Sequence, residues 1–430
     1  MKITAIFLIL IIPIWLIHAQ TPGKRLTRYG FEVYDKPLIY YDTYFTYSPE
    51  SSKQVLNFVI KIQNDLLQFT KVNGSYKAGY EVAFALKDSK NQNTVFTQIW
   101  NSTVIVMQFE QTNSKSIYQV DYKSFDLDTN PGEYDLILDV TDTGSDKVYK
   151  SDRKVIVPNK GDEVTNHTEI MLLNKTDSLL AEIVTGDEIP IVEFDQDLIA
   201  FFEFELPSQD SIMVHSELQN LENGQKLVVQ KKEYNIYSDR RYYRFYEVLS
   251  KSLLEEGYKN LIYNIIIPGS SIKLEKGFNV VWYKKPIYLY ETELAIRPMK
   301  YLLEASEWDE IDDMPFEQQR TWFIKFWKNQ DPTPETPLNE IQYEFYFRVD
   351  LANRDFSLRF KEGWETDRGY ALILYGEPNK RDLHRYVTHT KPYEIWYYEE
   401  LNKRLTFIDV DKDGDYKLLA IEDLEETENE

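Results

Sequence analysis

The sequence predicts a multidomain, mainly β protein: two tandem immunoglobulin-like β-sandwiches, a helical connector and a small α+β domain with an antiparallel meander. Three observations predict it. The chain has 430 residues, more than one ordinary core accommodates. Aromatic residues make up 15%, with 32 Tyr and 23 Phe, a composition that suits pleated, half-buried surfaces. Between residues 27 and 290, segments alternating apolar and polar residues recur about every ten residues between turn formers.

Residues 1–19 read as a secretory signal peptide. Lys2 precedes an apolar stretch, Ala5 to Ile17, and the small residue Ala19 offers a cleavage point before Gln20. That stretch is shorter than the roughly 20 residues a spanning helix needs. The first sandwich is expected over 27–158, from the strands TRYGFEVYD, LIYYDTYFTY, QVLNFVIKIQN, YEVAFALKD, TVFTQIW, YQVDYKSFDL, GEYDLILDVTD and VYKSDRKVIV. A polar linker, NKGDEVTNHT, leads to a second sandwich over 165–290. Ser250 to Gly257 reads as one helical turn or an edge-crossing helix, and Glu222-Asn223-Gly224 as a strand-joining turn.

The texture changes near residue 293. Over 293–355 the spacing predicts two helices forming a connector that packs on the C-terminal domain. Phe316, Phe323 and Trp327 share one face of the first. The second is expected to start with Thr336 as its cap and Pro337 as its first residue, and to bury Leu338, Ile341, Phe345, Val349 and Ala352. The α+β domain is expected over 356–421. Tyr370 to Tyr375 reads as a central strand, Gly376-Glu377-Pro378-Asn379 as a turn, the following residues as a polar loop, and KPYEIWYY, RLTFIDV and DYKLLAI as further strands. Residues 422–430 are strongly acidic and read as a disordered tail.

GWETDRG (Gly363 to Gly369), then LILYGEP, KPYEIWYY and FIDVDKDGDYKL in that order, resembles the GWxTD domain found at the C-terminus of exported proteins of the Bacteroidota and related phyla. The resemblance covers roughly 295–420 and implies an exported protein without assigning a reaction. Its motif residues here are Gly363, Trp364, Thr366, Asp367, Arg368, Gly369, Tyr375, Gly376, Pro378, Tyr393, Trp396 and Tyr397. Two readings of them stand side by side. In one the motif is a structural turn: Gly363 permits a bend, Trp364 plugs a helix–sheet seam, Thr366 and Asp367 accept hydrogen bonds from backbone N–H groups of the following turn, and Arg368 reaches a carboxylate or helix carbonyls. In the other, Asp367 and Arg368 with Tyr375, Tyr393 or Trp396 nearby form a small polar recognition site.

Other chemistry is thinly represented. Asp409, Asp411, Asp413 and Gly414 match the start of a calcium loop, but Ala420 stands where the bidentate Glu belongs. A hairpin turn and a weak calcium site are the alternatives, and no other cofactor is expected. His384 and His389 fall in a loop and do not form a zinc motif. There is no Cys, which excludes disulfides and thiolate chemistry. The net charge of −22 opposes binding to nucleic acid and anionic membranes. No common hydrolase, nucleotide or dinucleotide motif is present. The expectation is a non-enzymatic interaction or structural protein of the cell envelope, periplasmic or at the cell surface, with envelope proteins or glycans as partners. The alternative is an enzyme, or enzyme accessory, acting on envelope glycans or peptides through Asp367 and Arg368.

Overall fold

The computed structural model describes residues 23–47, 54–157, 167–175, 182–183, 189–205, 210–222, 225–238, 242–267, 269–385 and 390–424. The expected signal peptide, the end of the acidic tail, the turn at Asn223-Gly224 and His389 lie outside them. The protein is mainly β. It divides into two compact units, one containing Tyr34–Tyr283 with the chain up to Arg25, the other Leu26–Val33 with Lys284–Glu430.

Strands β1 (Gly23–Leu26) and β2 (Glu32–Asp35) pair with each other. The single strand expected over 27–35 is broken by a turn, in which Gly30 N–H donates to the Thr27 carbonyl at 2.9 Å. Next come β3 (Ile39–Tyr47), β4 (Gln54–Gln63), β5 (Thr70–Val72), β6 (Ser75–Asp88), β7 (Thr94–Val106), the short helix α1 (Phe109–Thr112), β8 (Tyr118–Leu127), β9 (Gly132–Asp142) and β10 (Lys147–Val157). They form two antiparallel sheets, β3-β4-β8 and β10-β9-β6-β5, with β7 also on β6. Alternation sends every second side chain inward. Leu56, Phe58 and Ile60 from one sheet and Val82, Phe84 and Leu138 from the other therefore share one core. Phe58 stacks on Phe84 at 4.8 Å.

Strands β11 (Met171–Asn174), β12 (Glu182–Ile183), β13 (Ile191–Glu193), β14 (Leu198–Glu205), β15 (Asp210–Glu222), β16 (Gln225–Ser238), β17 (Tyr242–Leu249), β18 (Gly257–Ile267) and β19 (Ser270–Val281) follow. They make the sheets β12-β11-β14-β17 and β13-β19-β18-β15-β16. Phe202 and Phe245 of the first meet Tyr263 of the second at 4.9 and 5.5 Å. The segment after β17 holds a single 3-10 turn, Lys251–Leu253, as the shorter of the two expectations has it.

The second unit carries α2 (Thr292–Ile296), α3 (Ala305–Asp312), α4 (Phe316–Asn329), α5 (Glu340–Phe356), α6 (Asp367–Tyr375) and the antiparallel meander β20 (Lys380–His384), β21 (Tyr393–Tyr398), β22 (Lys403–Ile408) and β23 (Lys417–Asp423). Phe323, Trp327, Phe345, Tyr346 and Val349 of the helices share one core with Trp396, Tyr398, Leu405 and Phe407 of the meander.

Four expectations are corrected here. Tyr370 to Tyr375 is helical, not a central strand. Six apolar residues carry no decisive period, and the Thr366 cap at one end and Gly376 at the other bound them as a helix. Helix α5 starts at Glu340, not after Thr336. Asn339 caps it by accepting the Gln342 N–H at 2.9 Å, and its own amide donates to the Trp327 carbonyl at 2.7 Å, tying it to the end of α4. Thr336 instead closes a turn onto Thr333. Phe316 and Ile341 lie exposed at the solvent ends of their stripes, while Tyr346 is buried. Residues 380–384, expected as loop, form the first strand of the meander and include His384.

Candidate functional site

The motif GWETDR lies where α5, α6 and the meander converge. Gly363, Trp364 and Glu365 form a 3-10 turn, and Thr366 caps α6. Gly363 runs directly against the backbone of α5. A Cβ there would lie 1.9 Å from the Ala352 carbonyl oxygen and 2.7 Å from the Cα of Asn353. Gly369, in the first turn of α6, repeats this against the motif itself, since its Cβ would lie 1.9 Å from the Gly363 oxygen. Three backbone segments are thus stacked at distances only glycine permits.

Hydrogen bonds lock the stack. Gly363 N–H donates to Ser357 Oγ at 3.0 Å and Trp364 N–H to Asn353 Oδ1 at 3.1 Å. Thr366 Oγ1 donates to the Gly363 carbonyl at 2.7 Å and accepts from Gly369 N–H at 3.0 Å, joining the turn to the helix cap. Trp364 is buried, with the cations of Lys300 and Arg297 over its ring at 4.7 and 5.6 Å. Its indole N–H donates to Glu362 at 2.6 Å.

Glu362 is a second centre that the motif alone does not disclose. Its carboxylate also accepts from Tyr29 at 2.6 Å and from Tyr288, and pairs with Arg28 at 2.7 Å. Desolvation pushes its pKa up, but the bonds from Tyr288, Tyr29 and Trp364 and the Arg28 charge outweigh that and hold it below the usual carboxylate range. Asp350 on α5 shows the opposite balance. It accepts from Ile287 N–H at 2.8 Å, its Oδ1 is buried without a partner, and desolvation raises its pKa to about 6.

Asp367 and Arg368 diverge into separate structural tasks. Asp367 accepts the Leu418 N–H of β23 at 2.8 Å. Arg368 lies between the rings of Tyr416 and Phe356 at 4.3 and 4.8 Å. Its terminal nitrogens reach Glu394 at 3.2 Å and the Gly414 carbonyl at 2.9 Å, and its Nε is buried. Both charged side chains are nearly inaccessible, at 11% exposure for Arg368 and 4% for Glu394. Desolvation lowers the Arg368 pKa against the pull of Glu394.

The remaining predicted residues do not gather around this pair, Trp396 excepted. Trp396 is fully buried, donates to Glu394 at 3.2 Å and packs on Phe356. Tyr375 sits at the far end of α6 against Tyr398 at 5.7 Å. Gly376, at φ +79°, ends that helix, and its carbonyl accepts from Tyr398. Pro378 occupies the turn that follows. Tyr393 stacks on His384 at 4.3 Å. The half-buried Tyr397 has the Lys380 ammonium over its ring at 5.1 Å. Asp409 accepts the N–H groups of Asp413 and Gly414, and Asp413 that of Asp415, so two carboxylates of the expected calcium loop brace a β22–β23 turn, while Asp411 is exposed. Among the described residues no three His, Cys, Asp or Glu side chains converge as a metal group would require, and no helix is long and apolar enough to cross a membrane.

Sequence reasoning missed Glu362, Glu394, Asn353 and Ser357. The only available signal was the spacing of Glu362 and Glu365, which form a capping box around the turn.

Among solved structures, the chain is similar to red sea bream transglutaminase at 9% identity, covering 56% of this chain and 31% of that one, with a TM-score of 0.18. A DUF4785 family protein from Legionella pneumophila matches at 10% identity, covering 58% of this chain and 59% of that one, with a TM-score of 0.19. At such scores neither informs the fold or the function. No curated protein matches the chain. The model of one family does match, over residues 267–426, a span that holds the glycine stack, the Arg368–Glu394 pair and the whole meander. This chain carries a GWxTD domain.

Proposed function

We propose that this is an exported, non-enzymatic protein of the bacterial cell envelope, periplasmic or at the cell surface, acting as an interaction or structural module. In this reading residues 1–19 direct export, and the two pairs of sheets are immunoglobulin-like sandwiches that serve as spacer and binding surface. The GWxTD domain is a compact terminal module whose motif maintains its own architecture. One observation carries the proposal: the polar groups of GWETDR are consumed inside the fold. Asp367 holds β23, Arg368 holds Glu394 and the Gly414 carbonyl, and Thr366 holds two backbone groups. A site for glycan or peptide chemistry needs charged groups open to substrate; here Arg368 is 11% exposed, and the partly buried Asp367 already accepts the Leu418 N–H.

The test is capture of cross-linked partners from the native envelope. Wild type is compared with an Asp367→Asn/Arg368→Lys variant selected for an equal melting temperature. Retention of the same partners by both supports the reading and directs attention to the strand-rich unit. Loss of a partner from the variant at matched stability makes the motif a recognition surface and overturns it.

A further inference from the structure

The segment Leu26–Val33 belongs to the second unit, although the chain on either side of it, up to Arg25 and from Tyr34, belongs to the first. It docks in the second unit as a strap. Tyr29 meets Tyr288 edge-on at 5.8 Å, and Phe31 stacks on Tyr290 at 5.7 Å. Tyr29 donates to Glu362 at 2.6 Å, and Arg28 pairs with the same carboxylate at 2.7 Å. Both receiving rings stand on one 3-10 turn, Ile287–Tyr290. Asp350 of α5 holds that turn by accepting the Ile287 N–H at 2.8 Å, while its Oδ1 is buried with no hydrogen-bond partner. A neutral carboxyl tolerates this seat. An ionised one leaves a buried charge half satisfied, a cost that is relieved when the turn lifts and water enters.

We propose that the strap is an acid-tightened clasp: protonated Asp350 seats the Ile287–Tyr290 turn and with it Leu26–Val33, and ionised Asp350 loosens both while the rest of the unit stays folded. This goes beyond the interaction-module reading and does not depend on it. Each neighbouring element contributes a charged or titratable group. The strap brings Arg28, whose charge favours ionised Asp350 but is shared with Glu362 and with the Tyr29 ring at 4.7 Å. The turn brings Tyr288, and Lys285 before it lies over Tyr290 at 4.9 Å. On α5 itself stand Tyr343 and, one turn on, Arg354, which pairs with Asp355. The motif side brings Glu362, held ionised by Tyr288, Tyr29, Trp364 and Arg28. Burial outweighs the pull of Arg28 on Asp350. Because the carboxyl is raised from 3.8 to about 6 in the docked form, docking is tightest below pH 4 and weakens as pH rises through 6. The described histidines, His167, His215 and His384, lie outside the strap, the turn and α5.

The experiment is hydrogen–deuterium exchange of the full chain at about pH 4.5 and about pH 7.5, read by mass spectrometry as protection relative to the unfolded chain at the same pH. Peptides covering Leu26–Val33 and Ile287–Tyr290 should be less protected than Tyr393–Tyr398 of β21, because the clasp opens by itself. Their protection should fall by at least about fivefold at the higher pH, with a ceiling of about thirtyfold for a carboxyl raised from 3.8 to about 6. Asp350→Asn keeps an acceptor for Ile287 and cannot ionise, so its protection should stay constant within about twofold. Asp350→Ser, smaller and equally unable to ionise, makes the same test if the Asn amide does not fit. A smaller fall in the wild type, or a flat profile, overturns the proposal. So does protection that rises with pH, the result if the attraction of Arg28 for ionised Asp350 won. A fall that survives in the non-ionising variants overturns it too, as does protection of strap and turn equal to that of β21, which means whole-unit unfolding and no separate clasp.

Discussion

Replacing Gly363 by Ala adds one methyl group at the tightest crossing in the GWxTD domain. The new Cβ would sit 1.9 Å from the Ala352 oxygen, against an ordinary contact of 3.4 Å or more. The seam must therefore open by 3.4 − 1.9 = 1.5 Å. The obstructing atoms are helix backbone, which cannot swing aside as a side chain does. An opening of that size stretches the Gly363–Ser357 and Trp364–Asn353 hydrogen bonds, now 3.0 and 3.1 Å, beyond hydrogen-bond range. Each lost bond costs about 1 kcal/mol, and overpacking of a close-packed seam adds about 1–3 kcal/mol. The expected loss is about 3–5 kcal/mol. Five of the eight tryptophans, Trp308, Trp322, Trp327, Trp364 and Trp396, lie in this unit, so urea unfolding followed by tryptophan fluorescence reports mainly on it. With a slope of about 2 kcal/mol/M, the midpoint should fall by about 2 M. Phe360→Ala, at a residue 90% exposed in the loop between α5 and the motif, is the control and should shift stability by no more than about 0.5 kcal/mol. A Gly363→Ala midpoint within error of that control would refute the claim that backbone contact dictates glycine here.

Further outcomes follow from the same geometry. Arg368→Met leaves Glu394 buried without its cation and should cost about 3–5 kcal/mol, with much of the loss recovered in Arg368→Met/Glu394→Leu; denaturation of both variants checks it. Thr366→Val removes the α6 cap and the bond to the Gly363 carbonyl and should cost about 2 kcal/mol, whereas Thr366→Ser should be nearly neutral by thermal melting. The Asp350 carboxyl, raised from 3.8 to about 6, binds its proton more tightly folded than unfolded. Its stabilising effect is therefore complete below pH 4 and is lost as pH rises to 6, a change of about 3 kcal/mol at most. Asp350→Asn should flatten that slope in pH-resolved unfolding. Glu362 acts in the opposite sense, because its pKa is depressed: its contribution is present at neutral pH and lost in acid, and Glu362→Gln should cost stability at pH 7 but little below pH 3.

The strands from Ile39 to Val157, the three-residue β5 excepted, were legible because most of them alternate apolar and polar residues for long enough to exclude a helical period. Helix α6 was not, since its apolar run is short and its identity rests on the Thr366 cap and on packing against Gly363. Strand β20 was hidden for a different reason: KRDLH has one apolar side chain, and only pairing with β21 makes it a strand. In the motif, the residue types announced a turn, a Thr366 that accepts a backbone hydrogen bond and a buried tryptophan, which the structure contains, but not that Asp367 would accept from the distant Leu418. Why position 363 must be glycine was not legible, because the obstacle belongs to Ala352, whose side chain plays no part. The cluster at Glu362 was still less accessible, since Tyr29 lies 333 positions away.

That separation bears on how the protein is made. A ribosome delivers Tyr29 long before Glu362 exists, and some 250 residues of the other compact unit emerge in between. The segment Leu26–Val33 must therefore remain unclaimed through the synthesis of the entire strand-rich unit, then be recruited by a partner at the other end of the chain. The unit that holds Glu362 thus needs a segment translated more than 300 residues earlier, and it cannot close until residues on both sides of the strand-rich unit have emerged.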